Sequence, residues 1–75
     1  EKKLYIDPKS RLQELSQEKM SATPDYRVIA EEGPDHTKLF TVGVYINKKL
    51  LAQGIGSSKQ KAETAAAVEA LKHLD

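Results

Sequence analysis

The chain has 75 residues, enough for one domain, and its 39% hydrophobic content includes no apolar run long enough for a membrane span or a signal peptide. Twelve basic residues against eleven acidic ones leave a net charge of +1, so an anionic partner must be met by local placement of charge and not by a global excess. There is no cysteine, which excludes disulfides and zinc–thiolate sites and fits a reducing, cytoplasmic setting.

Residues 1–6, "EKKLYI", read as a linker from a preceding domain absent from the chain, and residues 7–75 as the domain proper. Asp7-Pro8 predicts a helix start: the Asp side chain can accept from orphan amides, and Pro suits the first helical position. The helical pattern runs from Pro8 to about Met20. Leu12 and Leu15 project to one side, and Ser10, Gln13, Glu14 and Gln17 fall at i, i+3, i+4 and i+7 on the other. "SATPD" ends the helix.

"YRVIAEE" then alternates as a strand, with Tyr26, Val28 and Ala30 facing one way. "GPDH" interrupts it, because Gly33-Pro34 does not continue a ladder. "KLFTVGVYI" resumes, with Phe40, Val42, Val44 and Ile46 on one face. Asn47-Lys48 predicts a tight turn, and "KLLAQGIG" a third strand with Leu50, Ala52 and Gly54 facing inward. A final helix is expected from about Ser58 to Leu74, where Ala62, Ala66 and Ala70 recur beside Ala67, Leu71 and Leu74 as a close-packing face. The order is α-β-β-β-α: an α+β fold with a three-stranded antiparallel sheet and two helices packed on one face.

Enzyme signatures are missing. There is no G-x-S-x-G and no Cys/His or Ser/His nucleophile pair. "GIGSSKQ" is neither a P-loop nor a complete G-x-G-x-x-G. Glu31, Glu32 and Asp35 are close in sequence but do not form two facing carboxylate clusters, and no metal site is expected.

The motifs together resemble the double-stranded RNA-binding domain. They are "LQE" in the first helix, "PDYRVIAEEGPDHTKLFTV" across two strands, and "GIGSSKQKAETAAAVEAL" at the end, covering Pro8–Leu74. The wording "LQE" with "GPDH-x-K-x-F-x-V" is most similar to the domain that ends bacterial ribonuclease III. That resemblance implies a module that docks double-stranded RNA with little sequence preference, and substrates of the parent such as rRNA and other structured precursors. Cleavage, and the Mg2+ it needs, would belong to a nuclease domain outside this chain. No cofactor, membrane or small-molecule substrate is implied for the fragment itself. The isolated domain is expected to be a monomer and the full-length parent a homodimer.

Domains of this family span about 16 base pairs of A-form RNA, touching two minor grooves and the phosphates between them. The resemblance assigns three contact regions. Ser10, Gln13, Glu14 and Gln17 would read a minor groove. There the 2′-hydroxyl both donates and accepts, and Glu14 finds a donor that DNA lacks. The same stripe would equally serve as a solvated helix face. Gly33, Pro34, Asp35 and His36 would enter the second minor groove, unless they form an ordinary turn. Ser57, Ser58, Lys59, Gln60 and Lys61 would meet phosphates at a helix N-terminus, where free amides and the dipole favour anions. The family usually has two consecutive basic residues where this chain has Lys59-Gln60, one charge fewer. Near-zero net charge and Gln60 favour the alternative, a related fold used for protein–protein interaction; Gln13, Glu14, His36 and Lys59 favour RNA.

Overall fold

A computed structural model describes residues 7–74; the predicted linker, residues 1–6, lies outside the described residues. The elements are α1 (Pro8–Met20), β1 (Asp25–Glu32), a single 3-10 turn (Asp35–Thr37), β2 (Leu39–Ile46), β3 (Lys49–Gly56) and α2 (Lys59–Leu74). The strands form one antiparallel sheet in the order β1-β2-β3, so the predicted α-β-β-β-α architecture is the observed one. The domain measures 39 × 31 × 15 Å, the thickness of one helical layer on one sheet.

Helix α1 begins with Pro8 in the first turn, where the missing N–H has no partner to lose. The Asp7 side chain, expected to cap it, makes no cap hydrogen bond; only its backbone carbonyl accepts, from the Arg11 amide at 3.0 Å. Its side chain instead lines a notch between the helices, beside Tyr26. The helix stops at Ser21, which adopts the left-handed conformation (φ 52°, ψ 40°). Backbone amides of Ser21 and Ala22 then close onto the carbonyls of Gln17 and Ser16, satisfying the helix end.

The core is built from Leu12 of α1, Val42 and Val44 of β2, and Ala62, Ala66, Ala67 and Ala70 of α2, all fully buried. Burying each of the larger side chains stabilises the fold by about 1.5–3 kcal/mol. The alanines let α2 lie close to the sheet, principally on β3 and then β2, while α1 packs against α2. Gly54 and Gly56 complete that approach, because a Cβ at either would meet α2 backbone.

Two predicted strand faces are corrected, one by a β-bulge and the other by a bulge together with the lack of a covering helix. Between β2 and β3 the register passes from Val44↔Ala52 to Tyr45↔Leu50, leaving Leu51 unpaired. The extra residue reverses the alternation, so Leu51 packs against the core and Leu50 is 46% exposed on the other face. Between β1 and β2 the register passes from Val28↔Val42 to Ala30↔Thr41, with Ile29 as the extra residue. Tyr26 packs on the core as expected, but Val28 and Ala30 are exposed. Helix α2 lies over β3 and β2, α1 packs against α2, and β1 is left largely uncovered.

Candidate nucleic-acid interface

The polar stripe of α1 is a continuous exposed surface. Ser10, Gln13, Glu14 and Gln17 line one shallow groove, and Arg11 and Glu18 border it. Helical periodicity accounts for the first four, and the two flanking charges extend the same face by one residue each. Gln17 differs from its neighbours: its Nε2 donates to Thr23 Oγ1 at 2.7 Å, tying it to the segment after α1.

The loop after β1 is shaped by Gly33, whose φ of 97° and close approach to the Thr37 carbonyl oxygen exclude a side chain. The Thr37 amide donates to the Pro34 carbonyl at 2.9 Å, closing a compact 3-10 turn that holds Asp35 and His36 outward. Lys38 reaches Glu31 at 3.3 Å and Asp35 at 3.9 Å, bracing the base of the loop. His36 is exposed. Ladder pairs Glu32↔Leu39 and Phe40↔Gly56 set this loop at the end of the sheet where β3 hands over to α2.

At that handover Ser58 caps α2: its Oγ accepts from the Lys61 amide at 3.1 Å, and its carbonyl accepts from the Ala62 amide at 2.9 Å. Ser57 is exposed and does not cap. Lys59, Gln60 and Lys61 are exposed, and neither lysine has an acidic partner among the described residues. Unpaired ammonium groups at a helix N-terminus add to the positive end of the macrodipole.

Two of the three regions meet. Ser10 and Gln13 of α1 and Gln60 and Thr64 of α2 line one polar notch with Asp7, Lys9, Pro24 and Tyr26. Gln60, standing where a second basic residue was expected, therefore faces α1. Ser58, Lys61 and, again, Gln60 line the adjoining groove with Thr64. The Gly33–His36 loop shares neither groove and is related to the others through the sheet alone.

The notch is also lined by Lys9 and Tyr26, which the sequence did not mark as part of the site. Lys9 Nζ donates to Glu63 Oε1 at 2.6 Å and stands 5.1 Å from the centroid of the Tyr26 ring. The Tyr26 hydroxyl is buried and has no hydrogen-bond partner among the described residues. Burial pushes its pKa up to about 12, with Glu63 and Asp7 adding repulsion to the anion. No signal in the sequence links Lys9 to Glu63, because 54 residues separate them.

No group of three or more His, Asp or Glu that could hold a metal ion occurs among the described residues. No described helix is long and apolar enough to cross a membrane.

Two helices on one face of a three-stranded antiparallel sheet, with a polar helix stripe opening beside a basic helix N-terminus, define a compact α-β-β-β-α docking domain. The chain belongs to the double-stranded RNA binding motif family, whose pattern it matches over residues 8–74. It is 53% identical over 70 residues to Ribonuclease 3 of Dehalococcoides mccartyi, covering 93% of this chain and 30% of that protein. To Ribonuclease 3 of Carboxydothermus hydrogenoformans it is 50% identical over 68 residues, covering 91% of this chain and 29% of the relative. The chain thus spans less than a third of the length of these relatives. Among solved structures, Arabidopsis HYL1 superposes with a TM-score of 0.76 at 35% identity, covering 92% of this chain and 97% of the other. Dicer from Pichia stipitis superposes with a TM-score of 0.71 at 28% identity, over 92% of this chain and 34% of that one.

Proposed function

We propose that this domain docks double-stranded RNA for an endoribonuclease of the ribonuclease III type, with cleavage and its Mg2+ supplied by a nuclease portion of the parent. The observation that carries the reading is the notch shared by Ser10, Gln13 and Gln60, next to Lys59 and Lys61, which have no acidic partner among the described residues. Groups suited to 2′-hydroxyls thereby adjoin groups suited to phosphates, the two chemistries by which A-form RNA is read across a minor groove and its flanking backbone. Glu14 accepts from a 2′-hydroxyl, Gln13 exchanges hydrogen bonds with hydroxyls and base edges, and His36 with its loop reaches the second minor groove. Binding follows shape, with little dependence on sequence and strong dependence on salt. The isolated domain acts as a monomer; the parent, like the processing of structured RNA precursors, belongs to the larger assembly.

Fluorescence-anisotropy titration tests this. A duplex RNA of about 20 base pairs, long enough for the expected footprint, is compared with duplex DNA of the same sequence and with single-stranded RNA at two salt concentrations. Selective binding of the duplex RNA that weakens with salt is the expected result. Equal or absent binding of all three would overturn the reading and favour a protein partner.

A further inference from the structure

We propose that Lys9, Glu63 and Tyr26 form a positioning lock that sets α1 against the first turns of α2, and that affinity for duplex RNA depends on it. The inference rests on the RNA-docking reading above and adds residues outside the three contact regions.

The geometry is a three-element junction. Lys9 belongs to the first turn of α1, Glu63 to α2 and Tyr26 to β1. The ammonium is held from one side by the Glu63 carboxylate at 2.6 Å and from another by the face of the Tyr26 ring at 5.1 Å. Both charged side chains are about two-thirds sheltered, 34% and 29% exposed, so the pair is screened less than a surface ion pair.

The surrounding packing needs such a constraint. Helix α1 contributes only Leu12, Leu15 and Ser16 to the interior, and the buried residues of α2 are all alanines. A row of methyl groups presents low ridges and a shallow groove, which define the rotation and sliding of a partner helix weakly. The lock adds a directional contact one turn before Leu12, at the end of α1 where Ser10 and Gln13 face the notch.

Charge points the same way. Glu63 lies four residues after Lys59, on the helix that presents its N-terminus to phosphates. An unpaired carboxylate there would repel RNA; paired with Lys9 it is neutralised and works as a strut. The two roles give opposite signs when the charge is removed. If Glu63 were only a nearby anion, Glu63→Gln would tighten RNA binding. If it is half of the lock, Glu63→Gln weakens binding although the domain becomes more positive.

The test is RNA affinity of wild type, Glu63→Gln, Lys9→Met, the double variant and Lys9→Arg, with melting midpoints and NMR residual dipolar couplings for the α1–α2 angle. Glu63→Gln is expected to weaken duplex RNA binding about three- to fivefold, and the double variant to be no weaker than Lys9→Met alone. Lys9→Arg, which keeps both the ion pair and the ring contact, is expected to bind like wild type. The couplings should report a changed helix angle in Glu63→Gln while its spectrum remains that of a folded domain. Tighter or unchanged binding by Glu63→Gln, or failure of Lys9→Arg to preserve affinity, would overturn the lock while leaving RNA docking intact. A wild-type domain that ignores duplex RNA would instead defeat the docking reading and the lock with it.

Discussion

Gly54 of β3 lies directly against the backbone of Ala66 in α2, so that a Cβ at Gly54 would overlap the Ala66 amide and come within 2.7 Å of the Ala62 carbonyl oxygen. This contact sets how closely the final helix approaches the sheet. Because Lys59, Gln60 and Lys61 ride on the first turn of that helix, the same contact sets where the basic terminus stands relative to α1. The obstacle is main chain on both sides, which cannot move aside without displacing α2.

Gly54→Ala is therefore expected to cost at least about 3 kcal/mol, a large share of the stability of so small a domain. Gly43→Ala is the matched control. Its new methyl would meet only the side-chain ends of Ile29 and Leu50, on the exposed face of the sheet. These can rotate away, and the expected cost is about 1 kcal/mol or less. Urea denaturation of both variants checks the contrast.

Lys59→Ala removes an exposed ammonium with no acidic partner among the described residues. It is expected to weaken all duplex RNAs alike and to reduce the slope of log K against log salt by about one counterion. An unchanged slope would remove Lys59 from the phosphate contacts. Titration at four salt concentrations suffices.

Glu14 is exposed on the α1 groove and holds no ion pair among the described residues. Glu14→Ala is expected to lower the preference for duplex RNA over duplex DNA by about tenfold, the worth of one hydrogen bond to a charged acceptor. Paired titrations measure it, and a fully retained preference would count against the 2′-hydroxyl role.

Tyr26 provides a pH signature. Its hydroxyl is protonated more firmly in the folded domain, at about 12, than at the ordinary 10.0. Above pH 10 the unfolded chain therefore loses this proton first, and the folded state binds more protons. The contribution is complete below pH 10 and is lost as pH rises toward 12. Tyr26→Phe is expected to flatten that decline and, by deleting a buried hydroxyl without a partner among the described residues, to leave stability at pH 7 equal or higher by up to about 1 kcal/mol. Melting curves from pH 7 to 11.5 check both signs.

Asn47 and Lys48 turn the β2–β3 hairpin with φ of 53° and 69°, the mirror-image turn that suits right-twisted strands. Asn tolerates this conformation; lysine carries a Cβ penalty that glycine lacks. Lys48→Gly is expected to raise stability by about 0.5–1 kcal/mol without altering RNA affinity, as measured by denaturation and titration.

The two helices, three strands and alanine face were legible because each rests on local chemistry. Pro8 suits a first turn, the alternation from Phe40 to Ile46 suits a strand, and Ala62, Ala66 and Ala70 mark one side of a helix. The faces of Leu50 and Leu51 were not legible. A bulge is a property of the pairing between two strands, and one extra residue reverses every side chain beyond it. Asp7 misled for a related reason: its side chain had an alternative beside Tyr26 that exists only once β1 is packed near α1.

By itself the sequence determined the order of elements, the polar stripe of α1, a helix start near Ser58 and the motifs that mark the family. These depend on residues within about one or two turns of each other, where spacing translates directly into position. Only the tertiary structure decided that Gln60 faces Ser10 and Gln13 across one notch, and that Lys9 of α1 is held by Glu63 and Tyr26. Those relationships join residues 17 to 54 positions apart, and no local propensity encodes them. They arise when α2 settles onto Gly54 and Gly56 and α1 closes over its alanines, because close packing leaves one arrangement in which the charged side chains meet.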